Sequence, residues 1–278
     1  MTESNLRVAV LGAGYWGPNL VRNLSEAPGA EPVAVADLSP ERLEAILRAS
    51  EKAGRTLMVG HTFVYNPAVV AVKEILAKGG IGRVQYIDSQ RVNLGLHQFD
   101  INVLWDLGPH DVSITLYWLD EEPAWIQATG ACFVQPEIED VVFLMIGFPS
   151  GAIAHAHLSW LAPSKLRTMT VIGSGKMIVY DDVQTVEKVK LYDQGVDKLS
   201  GEELRRSYRA GDIHSPRVDV TEALQLEMRH FIECIRDGKK PRSDGEAGLR
   251  VVRVLEAGMR SLRSGGARVA YRPEAVRA

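Results

Sequence analysis

The chain has 278 residues, 46% of them hydrophobic and 24% charged, with a formal net charge of −3. These values fit a globular chain with a real core, long enough for two modest domains, and give no long-range field for nucleic acid or an anionic membrane. The two cysteines, Cys132 and Cys234, have no zinc spacing and read as reduced core residues of a cytoplasmic protein; the segment MTESNLRVAV lacks a signal-peptide pattern, and no apolar run is long enough to span a membrane.

Residues 7–11 form the first expected strand, and the run Val8–Leu11 feeds the turn Gly12-Ala13-Gly14-Tyr15-Trp16-Gly17. This is G-x-G-x-x-G between a strand and a helix expected over 15–24. Gly12 permits the tight turn, Gly14 lets a pyrophosphate approach the backbone, and Gly17 lets the helix lie close to the strand. The phosphates would rest on free N–H groups at the helix N-terminus. A second apolar run, Pro32–Ala36, ends in Asp37, which lies 20 residues beyond Gly17. An acid there suits the ribose hydroxyls of NAD and repels the 2′-phosphate of NADP. Gly12, Gly14, Tyr15, Trp16, Gly17 and Asp37 are therefore the expected cofactor residues; the alternative is a plain tight turn with a loop aspartate.

Ser39-Pro40-Glu41 starts the next helix, which runs to about Ala53 and stops at Gly54. Thr56–Gly60 reads as a third buried strand. His61–Pro67 then leads into a helix over 68–78, and alternation of strand and helix ends there. The pattern predicts a shortened Rossmann-like parallel sheet domain over residues 1–66, about half the usual length.

From Arg83 onward alternating strands dominate: 84–93, 124–134, 140–148, 152–160, 168–172, 176–180 and 186–192, with a helix over 105–119 between the first two. Pro149-Ser150-Gly151 is a hairpin signal. Residues 193–219 read as a polar surface excursion, 220–236 and 246–263 as amphipathic helices, and 268–271 as a last strand. Residues 67–278 are thus expected to form an α+β domain with a large open, mainly antiparallel sheet flanked by helices. An apolar face not covered by helices predicts a homo-oligomer.

Three groups of residues could do chemistry. Asp106 and His110, in WDLGPHD, are four apart, so on a helix a carboxylate can orient an imidazole as general base. The alternative is a capping aspartate and a packed histidine. Arg91 and Asn93 share one strand face, and Lys165 and Arg167 follow the strand that ends at Ser159-Trp160; each pair either binds an anion or is solvated. His155 and His157 also share a face, but no third residue has metal-ligand spacing. No metal is expected.

Several stretches carry a resemblance: GAGYWGPNLVRNL, GHTFVYNPAV, SQRVNLG, WDLGPHDVSI, HLSWLAPSKLR and SLRSGGARV. Together they resemble the glucose–fructose oxidoreductase / inositol dehydrogenase / rhizopine-catabolism family of NAD(P)-dependent oxidoreductases. SQRVNLG…FDINVLWDLGPHDVSI is similar to bacterial members that oxidise C3 of a UDP-N-acetylglucosaminuronate for surface polysaccharides. The resemblance implies NAD as cofactor, Gly12, Gly14, Gly17 and Asp37 as its contacts, His110 as acid/base assisted by Asp106, and Arg91, Asn93, Lys165 and Arg167 as substrate contacts. One departure stands out. The family's Glu-Lys-Pro motif, whose lysine lies beside the nicotinamide, is absent; the chain's Glu-Lys pairs, Glu51-Lys52 and Glu187-Lys188, are followed by alanine and valine. ERLEAILRASEKAGRTLMVG looks like one family helix joined to a later one, with the seam near 49–51, and the intervening strands missing. A catalytically inactive nucleotide-sugar-binding relative, or a deletion product, is the alternative expectation.

Overall fold

The structure is a computed structural model and describes residues 6–11, 17–36, 54–197 and 207–271. In chain order it contains β1 (Leu6–Leu11), α1 (Gly17–Glu26), β2 (Ala30–Ala36), a 3-10 turn (Thr62–Tyr65), α2 (Pro67–Ala77), β3 (Val84–Leu94) and α3 (Val103–Leu119). Then follow β4 (Trp125–Ala131), β5 (Val141–Gly147), β6 (Ile153–Ser159), β7 (Leu161–Gly173), β8 (Met177–Asp181), β9 (Val189–Asp197), β10 (Ser207–His214), α4 (Ala223–Asp237), α5 (Gly245–Arg263) and β11 (Val269–Ala270). The helix expected up to Ala53 and the seam at 49–51 lie outside the described residues.

The chain divides into two compact units, 1–67 with 220–250, and 68–219 with 251–278. In the first, β1 and β2 pair in parallel and α1 makes the connection between them. Val8 and Val10 project from one face of β1 onto Leu24 of α1 and onto Leu224, Met228 and Ile232 of α4. That packing explains why residues 220–250 belong to this unit rather than to the 67–278 domain expected from sequence: the apolar stripe of α4 covers the short sheet. Residues 56–60 are not a strand. An extended segment becomes one only by pairing along its length, and this segment makes a single isolated bridge, Met58 with Asp244, plus a 2.7 Å bond from Val59 N–H to Ser243 O.

The second unit is built on a nine-stranded sheet in the order β10-β9-β8-β7-β3-β6-β5-β4-β11. Its one parallel pair is β3 with β6; the other neighbours are antiparallel. Alternation fixes which side is core. Ile87, Val142, Leu144, Ile146, Ala154, Ala156, Leu158, Met169, Val171 and Ile178 are buried, whereas their strand neighbours Tyr86, Phe143, Ile153 and Leu166 are exposed. The helix α3 packs against β6 on the buried side. Gly108 permits the approach: a Cβ there would meet Leu104 and Leu255 at 3.1 Å and Leu158 at 3.4 Å. The predicted hairpin joins β5 to β6, with Gly151 at φ +87°. Residues 193–219 do not form a plain excursion. Residues up to Asp197 extend β9, and Ser207–His214 form the edge strand β10 paired with it. Edge strands tolerate polar sequence because one side faces solvent, which is why composition concealed them. Among the described residues no helix is long and apolar enough to cross a membrane.

Candidate active site

Two regions hold the residues singled out by sequence, one in each unit. In the first, a strand, a helix and a parallel strand follow in order: β1 ends at Leu11, α1 opens at Gly17, and β2 runs parallel to β1 up to Ala36. This is the frame that a dinucleotide turn requires, with a helix N-terminus following the strand. Gly12, Gly14, Tyr15, Trp16 and Asp37 lie outside the described residues.

The same unit holds a polar network that sequence reasoning missed, around His61–Tyr65. The Tyr65 hydroxyl lies 2.9 Å from Ser243 Oγ and accepts from Ser243 N–H at 3.2 Å. Arg242 donates to Val64 O at 2.7 Å and lies 5.0 Å from the Tyr65 ring centroid. Thr62 Oγ1 donates to Glu227 Oε2 at 2.7 Å. Glu227 is 0% exposed, and its other oxygen has no hydrogen-bond partner. Burial pushes its carboxyl up to about 7, against the pull of the Thr62 bond. The buried Nε2 of His61 has no hydrogen-bond partner either, and burial lowers this imidazole to about 4. His61 is therefore neutral at physiological pH. Nothing in the sequence distinguishes Glu227 from the solvated glutamates of an amphipathic helix.

In the second unit, α3 carries the Asp106/His110 pair. Asn102 caps it by accepting from Trp105 N–H at 3.2 Å, while its amide donates to Glu139 Oε2 at 2.7 Å. Pro109 stands inside the helix and removes the N–H that would bond the Trp105 carbonyl. His110 follows and is half-buried. Both residues lie on the helix with the expected spacing. Asp106 accepts from the Trp160 indole Nε1 at 2.8 Å. Burial raises the Asp106 carboxyl, and the indole bond opposes that rise.

Trp160 is buried at the junction of β6 and β7. Its carbonyl accepts from Gly95 N–H at 3.0 Å, and its ring lies 5.3 Å from that of His97. The indole thus ties the start of α3 to the loop that follows β3.

The four expected substrate contacts have different fates. Arg91 is 2% exposed and its Nε is 2.5 Å from Asp111 Oδ2, one residue beyond His110. Its charge serves an internal ion pair that clamps α3 to β3 and does not face solvent. Arg167 lies opposite Arg91 in the β3–β7 register and is partly buried, with Nη1 3.7 Å from Asp182. Burial lowers its guanidinium, and the neighbouring Arg91 charge adds to that effect. Its Nε has no hydrogen-bond partner. Lys165 is exposed and Asn93 half-buried. His155 and His157 share a β6 face as expected; His155 Nδ1 lies 2.7 Å from Asp88 Oδ1.

Comparison with known proteins bears on this arrangement. Residues 69–179 match the model of the GFO/IDH/MocA C-terminal domain. The chain is 23% identical over 218 residues to UDP-N-acetylglucosamine 3-dehydrogenase of Acidithiobacillus ferrooxidans, a match covering 77% of this chain and 65% of that protein. It is 24% identical over 237 residues to inositol 2-dehydrogenase of Rhizobium meliloti, covering 81% and 68%. The chain therefore spans about two thirds of the length of these relatives. The solved structure of GenD2 from gentamicin A biosynthesis, in complex with NAD, superposes with a TM-score of 0.72 at 20% identity, covering 97% of each chain. Residues 69–179, which build the core strands of the large sheet, are thus matched to the GFO/IDH/MocA C-terminal domain.

Proposed function

We propose that the chain is an NAD-dependent oxidoreductase that oxidises a hydroxyl of a nucleotide sugar, of the UDP-N-acetylglucosaminuronate type and at C3. The observation that carries this reading is His110 on a helix of a GFO/IDH/MocA C-terminal domain, in a chain whose β1–α1–β2 unit frames a G-x-G-x-x-G turn. Similarity to a UDP-N-acetylglucosamine 3-dehydrogenase supports the substrate class. Asp37 supports NAD over NADP, since a carboxylate repels a 2′-phosphate.

NAD, when bound, supplies the hydride acceptor. By their spacing, Gly12, Gly14, Tyr15, Trp16 and Gly17 would hold its pyrophosphate, with Gly14 leaving room at the backbone. His110 takes the hydroxyl proton as the carbon loses its hydride, so the alcohol becomes a ketone. Asp106, held by Trp160, fixes the first turn of the helix that carries His110. Asn93, Lys165 and the unpartnered Nε of Arg167 are the candidate contacts to the sugar's charged groups. Arg91 acts through Asp111 by fixing α3.

A second reading is favoured by one observation: the chain has no Glu-Lys-Pro lysine. It is a protein that binds NAD and the nucleotide sugar without turnover. Titration calorimetry with NAD and with the UDP-sugar, followed by rate measurements on wild type and His110→Ala, tests both. Binding with a His110-dependent rate supports the enzyme; binding of both ligands with no rate supports the second reading; loss of both defeats each.

The open sheet face supports assembly of two copies. The seven strands from β4 to β9 in the sheet order, at about 4.8 Å spacing and about 20 Å of length, present roughly 700 Å², close to the area of about 800 Å² that each partner contributes to a standard interface. Phe143 is 41% exposed on it, with Tyr86 at 48%, Leu166 at 40% and Ile153 at 38%.

A further inference from the structure

The centre of that open face is not apolar. Asp88 on β3 and His155 on β6 are directly opposite in the register, joined by the 2.7 Å contact. His157, next on the same face of β6, is opposite Gln90 of β3 and Phe143 of β5. The Phe143 ring stacks on both imidazoles, with centroids 4.6 Å from His157 at 21° and 6.1 Å from His155 at 9°. One exposed phenyl thus lies against two histidines, one of them paired with a carboxylate, in the middle of the sheet.

We propose that Asp88, His155 and His157 make assembly through this face pH-dependent, so that acidification separates the two copies. The inference rests on the reading of the open face as the interface. The patch holds two imidazoles and one carboxylate, so acid adds positive charge that the single carboxylate does not match. A two-fold interface places like patches together, so the surplus positive charge is repeated across it. Burying unpaired charge between protein surfaces is costly, and like charges brought together suppress association.

The surroundings offer little to neutralise that surplus. On the same face, β5 contributes Phe143 and Met145, β7 contributes Thr168 and Thr170, and β3 contributes Gln90, all uncharged. The nearest further charges are Asp181 on β8 and Lys190 on β9, two and three strands from β3, and Arg268, 3.8 Å over the Trp125 ring of β4, two strands from β6. Lys190 is paired with Glu187 at 2.9 Å. Burial, and next the neighbouring His155, hold His157 below the ordinary imidazole range, so it takes up its proton at lower pH than a free imidazole.

Sedimentation velocity of the full chain at micromolar concentration, at about pH 8 and about pH 5.5, tests this. Wild type is expected to be a dimer at the higher pH, with its Kd weakened about tenfold or more at the lower. The His155→Gln/His157→Gln variant should remain dimeric at both. Far-UV circular dichroism confirms that each sample is folded. A wild-type Kd equal at the two pH values overturns the switch and leaves the interface standing. Equal dissociation of wild type and the double variant does the same, because the sensor then lies elsewhere. A monomer at pH 8, or a Phe143→Asp variant that dimerises like wild type, overturns the interface and the switch together.

Discussion

Replacing Glu227 by glutamine is expected to stabilise the first unit at alkaline pH and to flatten its pH dependence. Glu227 is fully buried on α4 with one donor, Thr62, and one oxygen without a partner. Burial raises the carboxyl from 4.5 to about 7. A folded-state value above the unfolded one means that the protonated form is favoured in the fold. Below about pH 4.5 the group is neutral in both states and costs nothing extra. As pH rises through 7 the folded state must ionise a buried carboxyl, and stability falls by about 3 kcal/mol in all. The glutamine side chain keeps the shape and the bond to Thr62 without the charge. The variant should match wild type near pH 4.5 and exceed it by about 2–3 kcal/mol near pH 8. Hydrogen exchange of residues 223–237, followed against pH, reads this directly, because α4 and its contacts report opening of that unit. Thr62→Val should move the wild-type midpoint further up by removing the only donor. If Glu227→Gln leaves the pH profile unchanged, the carboxyl is not titrating in the fold and the argument fails.

Asp111→Asn leaves the buried Arg91 guanidinium without its counter-charge and should cost about 3 kcal/mol in urea unfolding of the second unit, with much of the loss recovered in an Arg91→Met/Asp111→Leu pair. Trp160→Phe takes the indole N–H from Asp106; the carboxyl should rise further in an NMR titration, with a stability loss of about 1–2 kcal/mol. Gly14→Val sets a branched side chain where the pyrophosphate approaches the backbone and should weaken NAD binding by at least about tenfold, measured by calorimetry, without altering the second unit's melting.

Much of the second unit was legible because period-two alternation and the Pro149-Ser150-Gly151 turn are local signals. β5 and β6 emerge where the pattern places them. Alternation says that Arg91 and Asn93 share a face, but not which face is covered. The partner that decides this, Asp111, lies on a helix 20 residues on. Asp106 shows the same limit. Helical spacing puts it within reach of His110, but gives no sign of Trp160, 54 residues away, which donates to its Oδ2. Residues 56–60 have strand composition, but pairing is supplied by neighbours, and Asp244 gives a single bridge. β10 was hidden for the opposite reason: its sequence is polar, and only pairing with β9 makes it a strand. The surplus burial of Glu227 had no local signal at all.

The most direct test of the central claim is nicotinamide absorbance after mixing the full chain with NAD and a UDP-N-acetylglucosaminuronate. The account predicts that at least one equivalent of NAD is reduced, and that His110→Ala removes the signal while retaining NAD binding. A folded wild-type protein that binds both ligands and reduces no NAD would contradict it, and would leave this chain a binding protein built on the frame of an oxidoreductase.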